Sequence, residues 1–246
     1  MSNAIILDTE TTGFDDAEAI EVAHIGLQSP LVPDITFEFR QLYLPTKAIE
    51  WGAMATHHII PEDLAGMPAT GTYELPTGTD YIIGHSIDFD HGVIGAPDVR
   101  RIDTLPLCRR LWPEPGHTQS AMMYRLLEPR DARTIVRDAH SALADVKMCR
   151  VILVCILDKL RERGHQVNEW EDLWKLSEIA RVPLTMPFGK HKGEPLENVP
   201  TSYFKWLLGQ PDVDPYLVKG INKALRKREH PLRPLPGELS DNRATD

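Results

Sequence analysis

The chain has 246 residues and a net charge of −9, and its hydrophobic fraction of 42% supports a buried core and excludes a collagen-like or low-complexity chain. The acidic balance disfavours a protein that coats DNA by bulk charge. No apolar run reaches the roughly 18 to 20 residues of a membrane span, no secretory signal opens the sequence, and three cysteines (Cys108, Cys149, Cys155) without C-x-x-C spacing argue for a reducing cytoplasm over a disulfide or zinc framework. Residues 4–7 form a short apolar run that reads as a buried strand. Residues 19–27 and 36–44 alternate apolar and polar side chains, as strands do, and are expected to pair antiparallel with the first. Residues 81–84 form another short strand. Residues 106–112 and 120–127 read as helices. The strongest helix spans 141–163, with Leu143, Val146, Ile152, Ile156 and Leu160 as its inward stripe and Gly164 as its stop.

Strands first and helices afterwards predict an α/β fold with a sheet of mixed strand directions. That domain is expected to fill 1–165, with a small, basic, mostly helical domain over 166–230. There Asn168 and Glu171 are spaced as a capping pair for a helix to about Ala180, and two further helices follow at 202–208 and 215–228. The tail, 231–246, is Pro-rich without apolar periodicity and is expected to be disordered.

Three polar clusters interrupt this pattern. Asp8 and Glu10 stand two apart at the end of the first strand, on one face and roughly 7 Å apart along the chain. Two carboxylates so placed repel unless a cation lies between them, although the same spacing also occurs in solvated loops. Asp88 and Asp90 follow the 81–84 strand, and either is suited to cap a helix. His140 and Asp145 flank the start of the long helix. Five residues of continuous helix would leave them about 140° apart, so they converge only if His140 lies in the preceding loop. An aspartate on the apolar side of a buried helix is costly unless paired or metal-bound. Carboxylates from three places suit hard divalent cations and metal-assisted phosphodiester hydrolysis, with a histidine able to take a proton from water.

The segments LDTETTG (7–13), GHSIDFD (84–90) and HSALAD (140–145) resemble, in order and spacing, the three motifs of the DEDDh, or DnaQ-like, 3′→5′ exonucleases. The resemblance covers about residues 1–160 and implies a ribonuclease H-like fold. It implies that Asp8, Glu10, Asp90 and Asp145 hold two Mg²⁺ or Mn²⁺ ions and that His140 is the general base. It selects Asp90 over Asp88 and leaves Asp88 as a cap or surface residue. His85-Ser86 departs from the His-Asn that many members carry, so a supporting hydrogen bond is expected to be made differently.

Further segments, AMATHHI (53–59), RRLWP (109–113), FGKHKG (188–193) and YFKWLL (203–208), resemble an exodeoxyribonuclease branch of the same family and extend the similarity to about residue 228. That branch implies DNA as substrate, degraded from single-stranded or duplex 3′ ends to nucleoside 5′-monophosphates in repair or proofreading, with a polymerase or repair protein as a partner. It also implies that Thr9, Thr11, Thr12 and Gly13 wrap the terminal nucleotide, with His57 and Ile59 on a loop beside it.

Residues 186–230 carry eight basic side chains against five acidic ones. On the last helix Lys219, Lys223 and Arg226 share one face and Leu217, Ile221 and Leu225 another. With Lys190 and Lys192 they form a candidate phosphate-binding surface, the competing reading being a solvated basic face. Trp170 and Trp206 are expected in the core. An exoribonuclease of the same superfamily would carry identical catalytic residues and differ only in how it grips the terminal 2′ position. A non-catalytic binding module would have been free to lose part of the five-residue set.

Overall fold

The computed structural model describes residues 3–137 and 139–229. Five strands form one sheet: β1 (Asn3–Thr11), β2 (Ala19–Leu27), β3 (Ile35–Leu42), β4 (Thr79–Gly84) and β5 (Arg100–Asp103). Their order is β3-β2-β1-β4-β5, with β3, β2 and β1 antiparallel neighbours and β1, β4 and β5 parallel. The mixed sheet agrees with the expectation. β5 was not legible as a strand, because its sequence Arg-Arg-Ile-Asp offers a single apolar residue.

Alternation along the strands divides the core into two faces. Ala4 and Ile6 of β1, Ala23 and Ile25 of β2, and Tyr81 and Ile83 of β4 pack on one side. That side is covered by α3 (Thr104–Leu111), α4 (Gln119–Leu126), α6 (Ala142–Glu162) and α7 (Trp170–Arg181). Ile5, Leu7, Val22 and Ile82 face the other side, against Tyr43, Ile87, Val93 and Ile94. α1 (Trp51–His57), α2 (Asp88–Val93) and α5 (Pro129–Val136) complete this unit. α1 and α2, of seven and six residues, are too short to show a helical apolar period. In α6 the buried stripe includes Val146, Ile152, Ile156 and Leu160 as expected, together with Cys149 and Leu153, while Leu143 is only half-buried.

The chain divides into two compact units at 181/182, later than the expected 165. The reason is α7, whose Trp170, Leu173 and Ala180 belong to the sheet's own core. Its N-terminus is also capped differently from the expected pair. The Asp172 carboxylate accepts the N–H groups of Asn168 and Glu169 at 3.0 and 3.1 Å, and Glu171 instead accepts the Tyr81 hydroxyl at 2.8 Å and pairs with Arg100.

The second unit, described over 182–229, holds α8 (Thr201–Leu208) and α9 (Pro215–Glu229) around Met186, Leu196, Val199, Phe204, Leu207, Leu217 and Ile221. Arg228 ties it together, donating to the Leu196, Glu197 and Val199 carbonyls with its guanidinium over the Phe204 ring. Trp170 is buried as expected. Trp206 is not: it stands 56% exposed, because the buried side of α8 is taken by Phe204 and Leu207. The tail expected to be disordered, 231–246, lies outside the described residues. Among the described residues no helix is long and apolar enough to cross a membrane.

Candidate active site

β4 pairs with β1 only as far as Ile6, so the last residues of β1 keep a free edge on that side. The Thr9 N–H on this edge donates to Asp90 Oδ1 at 2.9 Å, and the Thr9 hydroxyl donates to the same oxygen at 2.7 Å. Asp90 is thereby held from α2 against the end of β1 and is 7% exposed. Asp8 and Glu10 fall on the other parity, with Ala4 and Ile6, which is the face that α6 covers. There they meet Asp145. Ligand oxygens of Asp8, Glu10 and Asp145 lie within 4.8 Å of one another. The cluster sits beyond the carboxyl ends of the parallel strands, where open α/β sheets place their ligands.

His140 precedes the helix in a left-handed conformation (φ 68°), and α6 begins only at Ala142, so the loop geometry required for His140 and Asp145 to share a site is present. His140 itself is exposed. Asp88 stays outside the cluster, paired with Arg101 at 2.8 Å and Arg181 at 2.5 Å. At the Ser86 departure the backbone N–H of Ser86 donates to Asp103 Oδ1, which also caps α3 at the Leu105 N–H. The supporting bond is thus made by main chain to Asp103.

The electrostatics follow from packing. Burial pushes Asp8 well above the usual carboxylate range, and Asp90, Asp145, Glu10 and Glu21 add to it. Glu10 is pushed up to about 8 by burial, then by Asp145, Glu21 and Asp90. Asp90 reaches about 7 through burial, against its bonds from Thr9. Asp145 reaches about 6 through burial, with His140 acting in the opposite direction. Asp145 Oδ1 is buried and has no hydrogen-bond partner. An orphaned carboxylate oxygen among three other acids is costly in any protein, and a hard divalent cation removes that cost. The donor set therefore fits divalent metal, with Asp8, Glu10 and Asp145 convergent and Asp90 adjacent.

The other expected contacts divide. Thr12 is fully buried; its hydroxyl accepts the Glu18 N–H and its carbonyl the Glu50 N–H. The Thr11 hydroxyl donates to the Gly13 carbonyl at 2.8 Å. These side chains shape the loop and are spent within it. Gly13 admits the Glu50 carboxyl so closely that a Cβ would lie 2.2 Å from its Cδ. Ile59 packs with Ile20, Ile49 and Leu64 as core. His57 is different. Its Nδ1 accepts the Ile59 N–H at 3.0 Å, which places the neutral ring's proton on Nε2, a buried nitrogen that faces the Thr11 backbone without a well-formed hydrogen bond.

Two features escaped the sequence reading. Glu21 is fully buried on β2, directly opposite Glu10, and is paired to Arg40. A lone acid inside the run AIEVAHIGL was its signal. The second is an aromatic rim: Phe14, 85% exposed, has its ring centroid 5.8 Å from that of Phe89, and Trp51, next to Glu50, is 86% exposed. Isolated exposed aromatics have no periodicity to reveal them.

A model of the RNase T exonuclease family matches residues 5–153, and a shorter model, named for a quorum-sensing-regulated virulence factor, matches 173–211. The chain is similar to Exodeoxyribonuclease 10 of Escherichia coli strain K12, 25% identical over 211 residues, covering 84% of this chain and 91% of that protein. Among solved structures it is similar to Exonuclease X in complex with 5′ overhanging duplex DNA (TM-score 0.55, 24% identity, 70% of this chain and 99% of that one). It is also similar to E. coli Exonuclease I in complex with a dT13 oligonucleotide (TM-score 0.52, 17% identity, 67% of this chain and 43% of that one). At these identities the solved structures speak for the fold.

Proposed function

Because the chain belongs to the exonuclease family of DnaQ-like 3′→5′ enzymes, which depend on divalent metal ions, we propose that it hydrolyses DNA from the 3′ end to nucleoside 5′-monophosphates. The observation that carries this reading is the convergence of Asp8, Glu10 and Asp145 within 4.8 Å, with Asp90 held beside them. Asp8, Glu10, Asp90 and Asp145 would hold two Mg²⁺ or Mn²⁺ ions. When bound, such ions neutralise charge on the scissile phosphate and make water more acidic.

The chain's own residues do the rest. Phe14, with Phe89 behind it, offers a face on which the terminal base stacks, and Trp51 bounds the same rim. The loop 11–13, fixed by Thr12 and Glu50, bounds the pocket, and His57 Nε2–H supplies a donor. His140, exposed at the mouth of the site, accepts the proton of the attacking water on an imidazole nitrogen. The water oxygen bonds to phosphorus, the bond from phosphorus to the penultimate O3′ breaks with that oxygen keeping the electron pair and taking a proton from solvent, and the terminal nucleotide leaves as its 5′-monophosphate.

In the second unit Lys219, Asn222, Lys223 and Arg226 line a groove of about 400 Å³. Lys190, Lys192, Lys223 and Arg226 form no ion pair among the described residues, and Lys219 lies over the Tyr216 ring at 4.7 Å. In this reading these cations contact strand phosphates. Removing 3′-terminal nucleotides in this way serves DNA repair or proofreading, alongside a polymerase or repair protein. The test is an assay on matched 5′-labelled DNA and RNA oligonucleotides with Mg²⁺ or EDTA, and with Asp8→Ala as control. A DNA ladder shortening from the 3′ end, abolished by EDTA and by the substitution, is expected. Faster shortening of RNA would transfer the protein to ribonucleic substrates, and no shortening of either would overturn the proposal.

A further inference from the structure

The second unit carries three aromatic rings in a row that runs from its core to its surface: Tyr203 packs against the core, His191 is largely covered and Trp206 is exposed. His191 meets Tyr203 edge-on with centroids 4.6 Å apart, and Tyr203 lies 5.3 Å from Trp206. The row is built into the fold. Tyr203 and Trp206 are one turn apart on α8; Tyr203 lies beside the buried Leu207 at the edge of the core, and Trp206 turns away from Phe204 to the surface. His191 is brought to them by the turn at 188–193, where Gly189 adopts φ 72° and a Cβ would lie 2.7 Å from the Tyr203 hydroxyl. The His191 ring is set by Glu194, 3.0 Å from Nδ1. Yet Trp206 at the end of the row is 56% exposed.

The charges around the row have one sign in surplus. Lys190 and Lys192 flank His191 in the chain and Lys205 precedes Trp206; all three are exposed, and none forms an ion pair among the described residues. The single acid engaged with the row, Glu194, is occupied by His191. Lys227 of the same unit, by contrast, pairs with Glu197 at 2.7 Å. An apolar surface rimmed by unpaired ammonium groups complements a ligand with flat apolar faces linked by anions.

We propose that Trp206, backed by Tyr203 and His191, forms a base-stacking platform for an unpaired DNA strand, with Lys190, Lys192 and Lys205 on its phosphates. This rests on the reading of nucleic acid as substrate and adds a second, non-catalytic grip that takes bases as well as backbone. It separates the platform from a purely electrostatic surface, because stacking needs the base and phosphate contact does not.

The test uses the full chain in EDTA, titrated by fluorescence anisotropy against an oligo(dT) and an abasic oligonucleotide of equal length and charge. Trp206→Ala is expected to weaken oligo(dT) binding about tenfold, leave abasic binding unchanged and leave the melting temperature at its wild-type value. Trp206→Phe is expected to keep most of the affinity, and Lys190→Ala with Lys192→Ala to weaken both strands alike. Equal losses on the two strands from Trp206→Ala, or no loss on either, would overturn the platform; the second outcome is the one a protein-binding surface gives. Hydrolysis of a dinucleotide in Mg²⁺ is measured beside it and is expected to be unchanged in Trp206→Ala. Absence of hydrolysis in the wild type would overturn the exonuclease reading alone, because the binding comparison is made without turnover.

Discussion

Glu21 Oε2 accepts the backbone N–H of Ala142, the first residue of α6, at 3.0 Å across a separation of 121 positions in the chain. The residue that would ordinarily cap this helix, Ser141, makes no side-chain cap bond. A carboxylate on the central sheet thus performs the capping, and it favours the positive end of the helix. His140 lies two residues before this contact and Asp145 three after it, so both inherit their position from Glu21. Glu21→Ala leaves the Ala142 N–H unsatisfied and Arg40 without its partner. The expected loss is about 3 kcal/mol of unfolding free energy by urea titration in EDTA, together with lower turnover. Wild-type stability with wild-type turnover would show that the contact positions nothing.

The same carboxylates set a pH dependence in the metal-free protein. Their folded pKa values stand above the unfolded values, with Glu10 near 8, Asp90 near 7 and Asp145 near 6, so the folded state holds protons that the unfolded chain has released. Stability from these groups is complete below about pH 4 and is lost as pH rises through the folded values. In EDTA the melting temperature should fall between pH 5 and pH 8, and a saturating divalent cation should remove the fall. Asp8→Asn should flatten it. A melting temperature that climbs across this interval in EDTA would contradict a buried, mutually repelling cluster.

These relationships explain what was legible beforehand. Alternation in β1 and β2 and the long apolar stripe of α6 exposed the sheet and its covering helix, and an acid at the end of a buried strand exposed Asp8 and Glu10. The convergence of Asp145 on them follows from α6 covering the face that even-numbered β1 residues share. Glu21 was hidden because its partner is remote in sequence, and β5 because four residues have no period. That the Thr12 hydroxyl closes its own loop and that Ile59 packs in the core were not legible, because their partners Glu18, Ile20, Ile49 and Leu64 carry no motif. Trp206 resembles a core residue by composition, and only the rotation of α8 decides otherwise.

His140 makes the sharpest catalytic prediction. It stands exposed outside the helix, whereas Asp8, Glu10 and Asp145 converge half-buried and Asp90 is buried beside them, so its removal leaves the metal-ligating set intact. His140→Ala should lower kcat by about 10²- to 10⁴-fold at pH 7, the range for loss of a general base. Cation affinity measured by titration calorimetry should change little. Asp145→Ala should reduce both quantities. Retention of wild-type kcat by His140→Ala would assign the proton to another acceptor.

Phe14 is 85% exposed, meets Phe89 across the rim and belongs to none of the core clusters, so truncation tests binding without disturbing the fold. Phe14→Ala should raise KM for DNA about tenfold, as the loss of one stacked base does. The melting temperature should not move. Phe14→Leu should restore part of the loss through apolar contact alone. An unchanged KM in steady-state assays would exclude the rim from substrate binding.

Salt dependence separates the groove on α9 from the aromatic surfaces. Lys219, Lys223 and Arg226 occur at i, i+4 and i+7, exposed on the side opposite the buried Leu217 and Ile221. Each phosphate they neutralise releases condensed counterion and contributes about 0.7 to the slope of log affinity against log salt for a single strand. Replacing all three by alanine should therefore reduce that slope by about 2 and weaken binding most at low salt. Base composition of the oligonucleotide should not matter to the loss, since phosphates carry no sequence. Anisotropy titrations from low to high salt measure the slope directly. A triple variant with the wild-type slope would show these cations to be a solvated face, and one with the wild-type slope but weaker binding would place their effect on the fold of the second unit.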